Sequence, residues 1–270
     1  MINYGALLSK TDLRDYKVKA KGTIEVTEFE LDNLPTVKNQ SSVSSCVAHS
    51  TSSILEWFNR KETNETYKLS TGFIYGMQGV AFNRLDSGMY LRDACKIIQQ
   101  YGDCSNDTIS FNIEMPECYE RLSKCLTEDI YKEAFIFKVK SYEKCSKDKD
   151  VKYALMQNSP VLISVKWYDK YKFTDGNVIN FDKKSDYGNH AVMVYGFNEK
   201  GWLCQNSWGK NWGKDGRFIL PYEHGFREAW SFIDAENSSV YKPKRNSILD
   251  MLYKMLNGTI NFFKGLFKKN

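Results

Sequence analysis

A thiol, an imidazole and two carboxamides stand in three short stretches of this 270-residue chain: NQSSVSSCVAHS around Cys46, GNHAVMVYGF around His190 and CQNSWGKNWG around Asn206. A cysteine attacks as its thiolate, an imidazole takes and returns the proton, and a carboxamide oxygen accepting from the ring N–H orients that imidazole. The second carboxamide, Gln40, precedes the thiol and is placed to donate to an oxyanion, with the Cys46 backbone N–H as the other donor. The set reads as acyl transfer by a cysteine nucleophile. Because a thiol near its reference pKa of about 8.5 is mostly protonated at neutral pH, Cys46 needs help. A helix starting at Cys46 and an imidazolium at His190 would both lower its pKa. The chain has three histidines. His49 sits one turn along the same helix and points away from the attack direction. His224 has no carboxamide or aromatic companion, whereas His190 has Asn206 to hold it and Trp208 to cover that bond from water.

His190 follows Cys46 by 144 residues and Asn206 follows by another 16, a separation in the range of papain and the cathepsins. On these residues the chain resembles the papain-like cysteine peptidase family, over most of 35–235. SGMYLRDACKIIQQYGDC (87–104) is similar to the glycine-containing cleft segment and following helix of bacterial and viral members. NSPVLISVKW (158–167), GRFILPYE (216–223) and the opening TDLRDYKV (11–18) also match that branch. The better-known signature reads Cys-Gly-Ser-Cys-Trp; here Val43, Ser44, Ser45, Cys46 and Val47 stand in its place. Val43 removes a disulfide partner and fits the prokaryotic and viral branch.

The resemblance implies a peptidase acting through a thioester on Cys46, with His190 as acid and base, Asn206 as orienter and Gln40 at the oxyanion. It implies substrate contacts at Gly88 and Met89, which offer backbone hydrogen bonds to an extended peptide, at Ser164 and Asn189 in the pocket two residues before the cut, and at Trp208. The family's long inhibitory prosegment has no counterpart here, so residues 1–34 are expected to be a strap or a short propeptide-like plug. An acyltransferase or transglutaminase with the same triad, and a non-catalytic binding protein on this fold, are the alternative readings.

The elements that must position these groups follow from the hydrophobic pattern. Apolar or small residues at helical spacing continue from Cys46 through 48–58, and further helices are expected at 89–101, ended by Gly102, at 116–126 and at 149–158. Alternation at Ile24, Val26 and Phe29 suggests a short strand. From Phe135 the runs FIFKVKSY, PVLISVKW, AVMVYGF, WLCQNSW and GRFILPY read as strands between Gly, Asn and Asp turns. Helices first and strands second give an α+β chain. By the resemblance this is the two-lobe papain-like fold: a helical lobe (about 35–130) and an antiparallel, barrel-like β lobe (about 131–240) with the cleft between them.

Composition narrows the function classes. A hydrophobic fraction of 42% supports a buried core. Of the net charge of +5, residues 241–270 carry +6, so the body sums to −1 and nucleic-acid binding by it is not expected. Seven cysteines without a C-x-x-C pair give no zinc spacing, and no cofactor is implied. Cys95, Cys104, Cys118, Cys125, Cys145 and Cys204 are expected to be inert thiols. The opening MINYGALLSK lacks a charged stretch followed by an apolar run, so an intracellular, reducing setting and a polypeptide substrate are expected. At 247–269, Ile248, Leu252, Met255, Leu256, Ile260, Phe262, Phe263, Leu266 and Phe267 fall on one broad helical face against Asp250, Lys254, Asn257, Asn261, Lys264 and Lys268. That amphipathic helix suits packing on this chain, a membrane surface or a protein partner.

Overall fold

The computed structural model describes residues 4–111 and 114–234; the amphipathic 247–269 stretch lies outside them. The N-terminal stretch makes two short strands, β1 (Ala6–Leu7) and β2 (Phe29–Glu30). Only Phe29 of the alternating trio is in β2, and Val26 is exposed.

Helix α1 (Cys46–Thr63) opens at the thiol. It is launched by a tight turn in which the Val43 N–H donates to Gln40 O at 3.1 Å and the Ser45 N–H to Val43 O at 2.8 Å. Every residue from Cys46 to Phe58 is buried, so this helix is packed on all sides rather than on one stripe. It ends at Asn64, whose left-handed φ of 58° returns its N–H to Arg60 O.

Helix α2 (Thr71–Phe82) was not expected from periodicity, because TGFIYGMQGVAF is apolar almost throughout and carries three glycines. The glycines explain its packing. A Cβ on Gly76 would lie 2.8 Å from Leu122, and one on Gly79 2.3 Å from the Tyr119 ring. That surface is what lets α4 (Glu117–Cys125) seat against α2. Between them, β3 (Met89–Tyr90) precedes α3 (Leu91–Gln100). The helix expected from Met89 thus starts two residues later, because the Met89 N–H is used in pairing with the N-terminal stretch.

Phe135 and Ile136 close α5 (Glu128–Ile136) instead of opening a strand. Thr127 caps this helix, and Glu128 and Asp129 sit in its first turn. Strand β4 (Val139–Lys144) follows, then α6 (Asp148–Met156) at the expected place. The remaining strands are β5 (Val161–Tyr168), β6 (Tyr171–Thr174), β7 (Val178–Phe181), β8 (Tyr187–Asn198), β9 (Gly201–Gln205), β10 (Arg217–Leu220) and β11 (Glu228–Asp234).

Their order is β4-β11-β5-β8-β9-β10-β7-β6, with β2 also on β8. Pairs are antiparallel except β10 with β7. This is the expected α+β division into helices and an antiparallel-rich sheet, and α1 packs on β5 and β8 between the two. One hydrophobic core runs through both, from Trp57 and Phe73 to Trp167 and Trp230.

The N-terminal stretch has two unlike parts. Residues 16–34 are woven into the fold: the Val18 N–H donates to Lys144 O, Leu31 N–H to Tyr195 O, and the Trp57 indole N–H to Asp32 O at 2.8 Å. Residues 4–9 run elsewhere, along β3, in parallel register with Ala6 opposite Met89.

Candidate active site

Strand β8 carries His190 into the space above α1. In the β5–β8 register Val165 stands opposite His190 and Ser164 opposite Ala191. Successive residues of a strand face opposite ways, so His190 shares a face with Val165 and Trp167, while Ala191 and Ser164 turn the other way. Glu228 of β11 is also registered with Ser164. The Ala191 N–H lies against the Cys46 sulfur, and Ala191 O accepts from Ser50 Oγ at 3.1 Å. Nucleophile and histidine strand are thereby held to one another.

His190 Nε2 lies 2.8 Å from Asn206 Oδ1. That oxygen also accepts the Ser207 N–H at 2.8 Å, which fixes which end of the amide faces the ring. Nε2 is therefore the protonated nitrogen and Nδ1 the basic one; Nδ1 is buried without a hydrogen-bond partner among the described residues. Trp208 stacks on the ring at 4.7 Å and Trp167 meets it edge-on at 5.3 Å, sheltering the amide–imidazole bond from water.

Gln40 arrives on the strand-like segment 38–40, laid antiparallel to 207–209. The Gln40 N–H donates to Ser207 O at 2.8 Å and the Gly209 N–H to Lys38 O at 2.9 Å. Its Nε2 donates to Val43 O at 2.7 Å, and its Oε1 accepts from Ser207 Oγ at 2.6 Å. The base of this segment is fixed by a buried ion pair, Lys38 Nζ to Glu56 Oε1 at 2.6 Å.

Cys46 and His190 are both fully buried. Burial pushes the Cys46 thiol up to about 11, the backbone N–H groups of Ala191, Gly5 and Val47 offsetting only part of it. Burial likewise pulls His190 down to about 4, against the Asn206 hydrogen bond. Both shifts work against the thiolate–imidazolium pair that the helix terminus and imidazole suggested. The physical reason is desolvation, which penalises both charged forms.

What desolvates them includes the N-terminal stretch. Gly5 O accepts from the Met89 N–H at 2.7 Å, and a Cβ on Gly5 would stand 2.0 Å from Ser44 O. The Tyr4 ring covers Gly188 and meets His190 edge-on at 6.5 Å, its hydroxyl donating to Asp169 at 2.7 Å. The Ser9 N–H donates to Glu228 Oε2 at 2.9 Å. Asp15 bonds Arg92 at 2.6 Å with both side chains nearly buried.

Gly88 is placed differently from the expectation. Its N–H donates to the Tyr75 hydroxyl and its carbonyl accepts from Gln78, while the Met89 N–H donates to Gly5 O. Ser164 is fully buried, and the Asn189 Oδ1 is buried without a partner among the described residues. His49 is buried, with Nδ1 beside Ser45 O, and His224 packs on Phe181 at 4.6 Å. All seven cysteines are unpaired, and among the described residues no cluster of His, Cys, Asp and Glu could hold a metal ion. Three contributors escaped the sequence: Ser207, Trp167 and Glu228. Trp167 alone had a signal, since strict alternation from Val165 puts it on the His190 face.

An imidazole anchored on an amide, on the strand that packs against the helix opening at Cys46, has the elements of a cysteine-dependent hydrolase. Residues 24–229 match the papain family cysteine proteases, and the chain belongs to that family. An uncharacterized peptidase C1-like protein of Acanthamoeba polyphaga mimivirus is 26% identical over 82% of this chain and 82% of its own length. Mouse cathepsin K is 27% identical over 68% of this chain and 55% of its own length. Xylellain, a cysteine protease from Xylella fastidiosa, shares the fold with a TM-score of 0.75 at 22% identity, covering 87% of this chain and 97% of that one. The chain is thus a cysteine-type peptidase, and polypeptide is its substrate class.

Proposed function

We propose that peptide bonds are cut through a thioester on Cys46. The Cys46 proton passes to His190 Nδ1, the sulfur attacks the scissile carbonyl, and Gln40 Nε2 with the Cys46 N–H receives the oxyanion. As the C–N bond breaks, His190 returns the proton to the leaving amine. Water then gives a proton to His190 and attacks the thioester, the S–C bond breaks, and the thiol is restored. The observation carrying this reading is the 2.8 Å His190–Asn206 bond, which leaves a buried Nδ1 without a partner among the described residues.

The proposal extends to residues 4–15 as a resting-state strap. The backbone N–H of Met89 and the space over Ser44 are taken by Gly5, so an extended substrate, which would pair with the same edge, has to displace it. Unpaired thiols fit an intracellular setting. The test is labelling of Cys46 by a peptidyl epoxide, read by mass spectrometry, in the full chain and in Gly5→Val, whose side chain has no room over Ser44. Stoichiometric labelling in Gly5→Val that disappears on adding Cys46→Ala or His190→Ala is expected. An unlabelled but folded Gly5→Val protein would overturn the catalytic reading, and equal labelling rates with and without Gly5→Val would overturn the strap.

A further inference from the structure

Tyr4 marks a place built for a phenol. Its ring lies on Gly188, where a Cβ would stand 2.1 Å from Tyr4 Cδ2, and meets His190 edge-on at 6.5 Å. Its hydroxyl donates to Asp169 Oδ1 at 2.7 Å. Burial, with that carboxylate, raises the pKa of the phenol, so it remains a donor. Two strands supply the shelf. Asp169 follows the end of β5, its N–H donating to Asp186 O at 2.8 Å, and Gly188 stands on β8 opposite Trp167. The missing side chain at Gly188 gives the ring its room. Asp169 is exposed, so its carboxylate is an acceptor open to whatever takes the place of Tyr4.

We propose that Gly188 and Asp169 form a subsite for a tyrosine side chain of the substrate, at the residue that follows the cut. The inference rests on the catalytic reading given above. The N-terminal stretch crosses Cys46 at Gly5, with Ala6 and Leu7 on one side against Met89 and Tyr90 and with Tyr4 on the other, beside His190. His190 serves the leaving amine, so the shelf next to it belongs to the leaving half of the peptide. Tyrosine fits better than the neighbouring choices. Phenylalanine fills the shelf but makes no bond to Asp169, and a site that bonds a hydroxyl discriminates against the analogue lacking it, modestly where water reaches the acceptor. Arginine meets the carboxylate as an exposed ion pair, which is weak in water.

The experiment uses the full-length chain with Tyr4→Ala and Gly5→Val, which clear the shelf and the thiol, as parent. A proteome-derived peptide mixture is digested to low conversion, and mass spectrometry reads the residue following each cut relative to its abundance. Tyrosine is expected there about fivefold more often than phenylalanine or arginine. Adding Asp169→Ala, an exposed change, is expected to bring tyrosine and phenylalanine within about twofold of each other. Gly188→Ala, whose Cβ takes the place of the ring, is expected to lower both to the level of alanine. Tyrosine no more frequent than phenylalanine, arginine above tyrosine, or a preference that survives Asp169→Ala would each overturn the subsite while leaving the catalytic reading in place. If the parent cuts no bond and takes no epoxide at Cys46, the catalytic reading has failed and this one with it.

Discussion

Asn206 Oδ1 accepts two hydrogen bonds, from His190 and from the Ser207 backbone, and that double duty puts the ring proton on Nε2 and the lone pair on Nδ1. The same burial that protects this bond pushes the Cys46 thiol up to about 11 and pulls the His190 imidazole down to about 4. The sign is definite. A thiol raised above its ordinary value is protonated at neutral pH and becomes nucleophilic only as pH climbs toward the raised pKa; an imidazole lowered below its ordinary value is neutral over the same range. Iodoacetamide alkylation of Cys46 in the full chain is therefore expected to be slow at pH 7 and to rise steeply above pH ~9. In Gly5→Val, where solvent reaches the pair, reactivity is expected between about pH 5 and 8. A mass-spectrometric pH–rate profile of the Cys46 peptide checks both. Cys46, His190, Asn206 and Gln40 were legible because their types and separations are themselves the signal. Ser207 was not, since a serine acquires meaning only from a partner 167 residues away.

At the scale of elements, the legible helices were those with a period or a punctuation mark: α1 behind its serines, α4 after Pro116, α6 after an acidic first turn. Helix α2 was illegible because its pattern is apolar on every side, and its glycines, which argue against a helix by propensity, are there for close approach to α4. Gly76→Val puts a Cβ within 2.8 Å of Leu122. It is expected to destabilise the fold by ~1–3 kcal/mol through overpacking, seen as a lower urea midpoint with the slope unchanged. Gly22, with nothing near it and φ +63°, offers a contrast: Gly22→Asn is expected to leave the midpoint nearly unmoved. Phe135 and Ile136 misled for a different reason. Two apolar residues at the end of a capped helix and two at the start of a strand look alike, and Thr127 with its following acids was the better guide.

For the whole molecule, the N-terminal stretch anticipated as strap or plug divides into a woven part (16–34) and a part paired with β3 (4–9). No local pattern could divide them, because the division is made by partners on β3, β4 and β8. Between the two parts lies the Asp15–Arg92 bridge. Removing one partner of a buried ion pair strands the other charge at a cost of about 3–5 kcal/mol. Asp15→Ala is accordingly expected to loosen residues 4–15, raising peptide turnover at least tenfold and making the segment sensitive to limited proteolysis. Unchanged turnover with a protease-resistant segment would count against the latch. The anchoring of Val18 to β4 also sets the terms of competition. A tethered segment meets its site at an effective concentration on the order of millimolar, whatever the dilution of the protein. On the proposed strap, closure is unimolecular, so diluting the enzyme would not open it. Access goes to ligands abundant or tight enough to outcompete a neighbour that is always present.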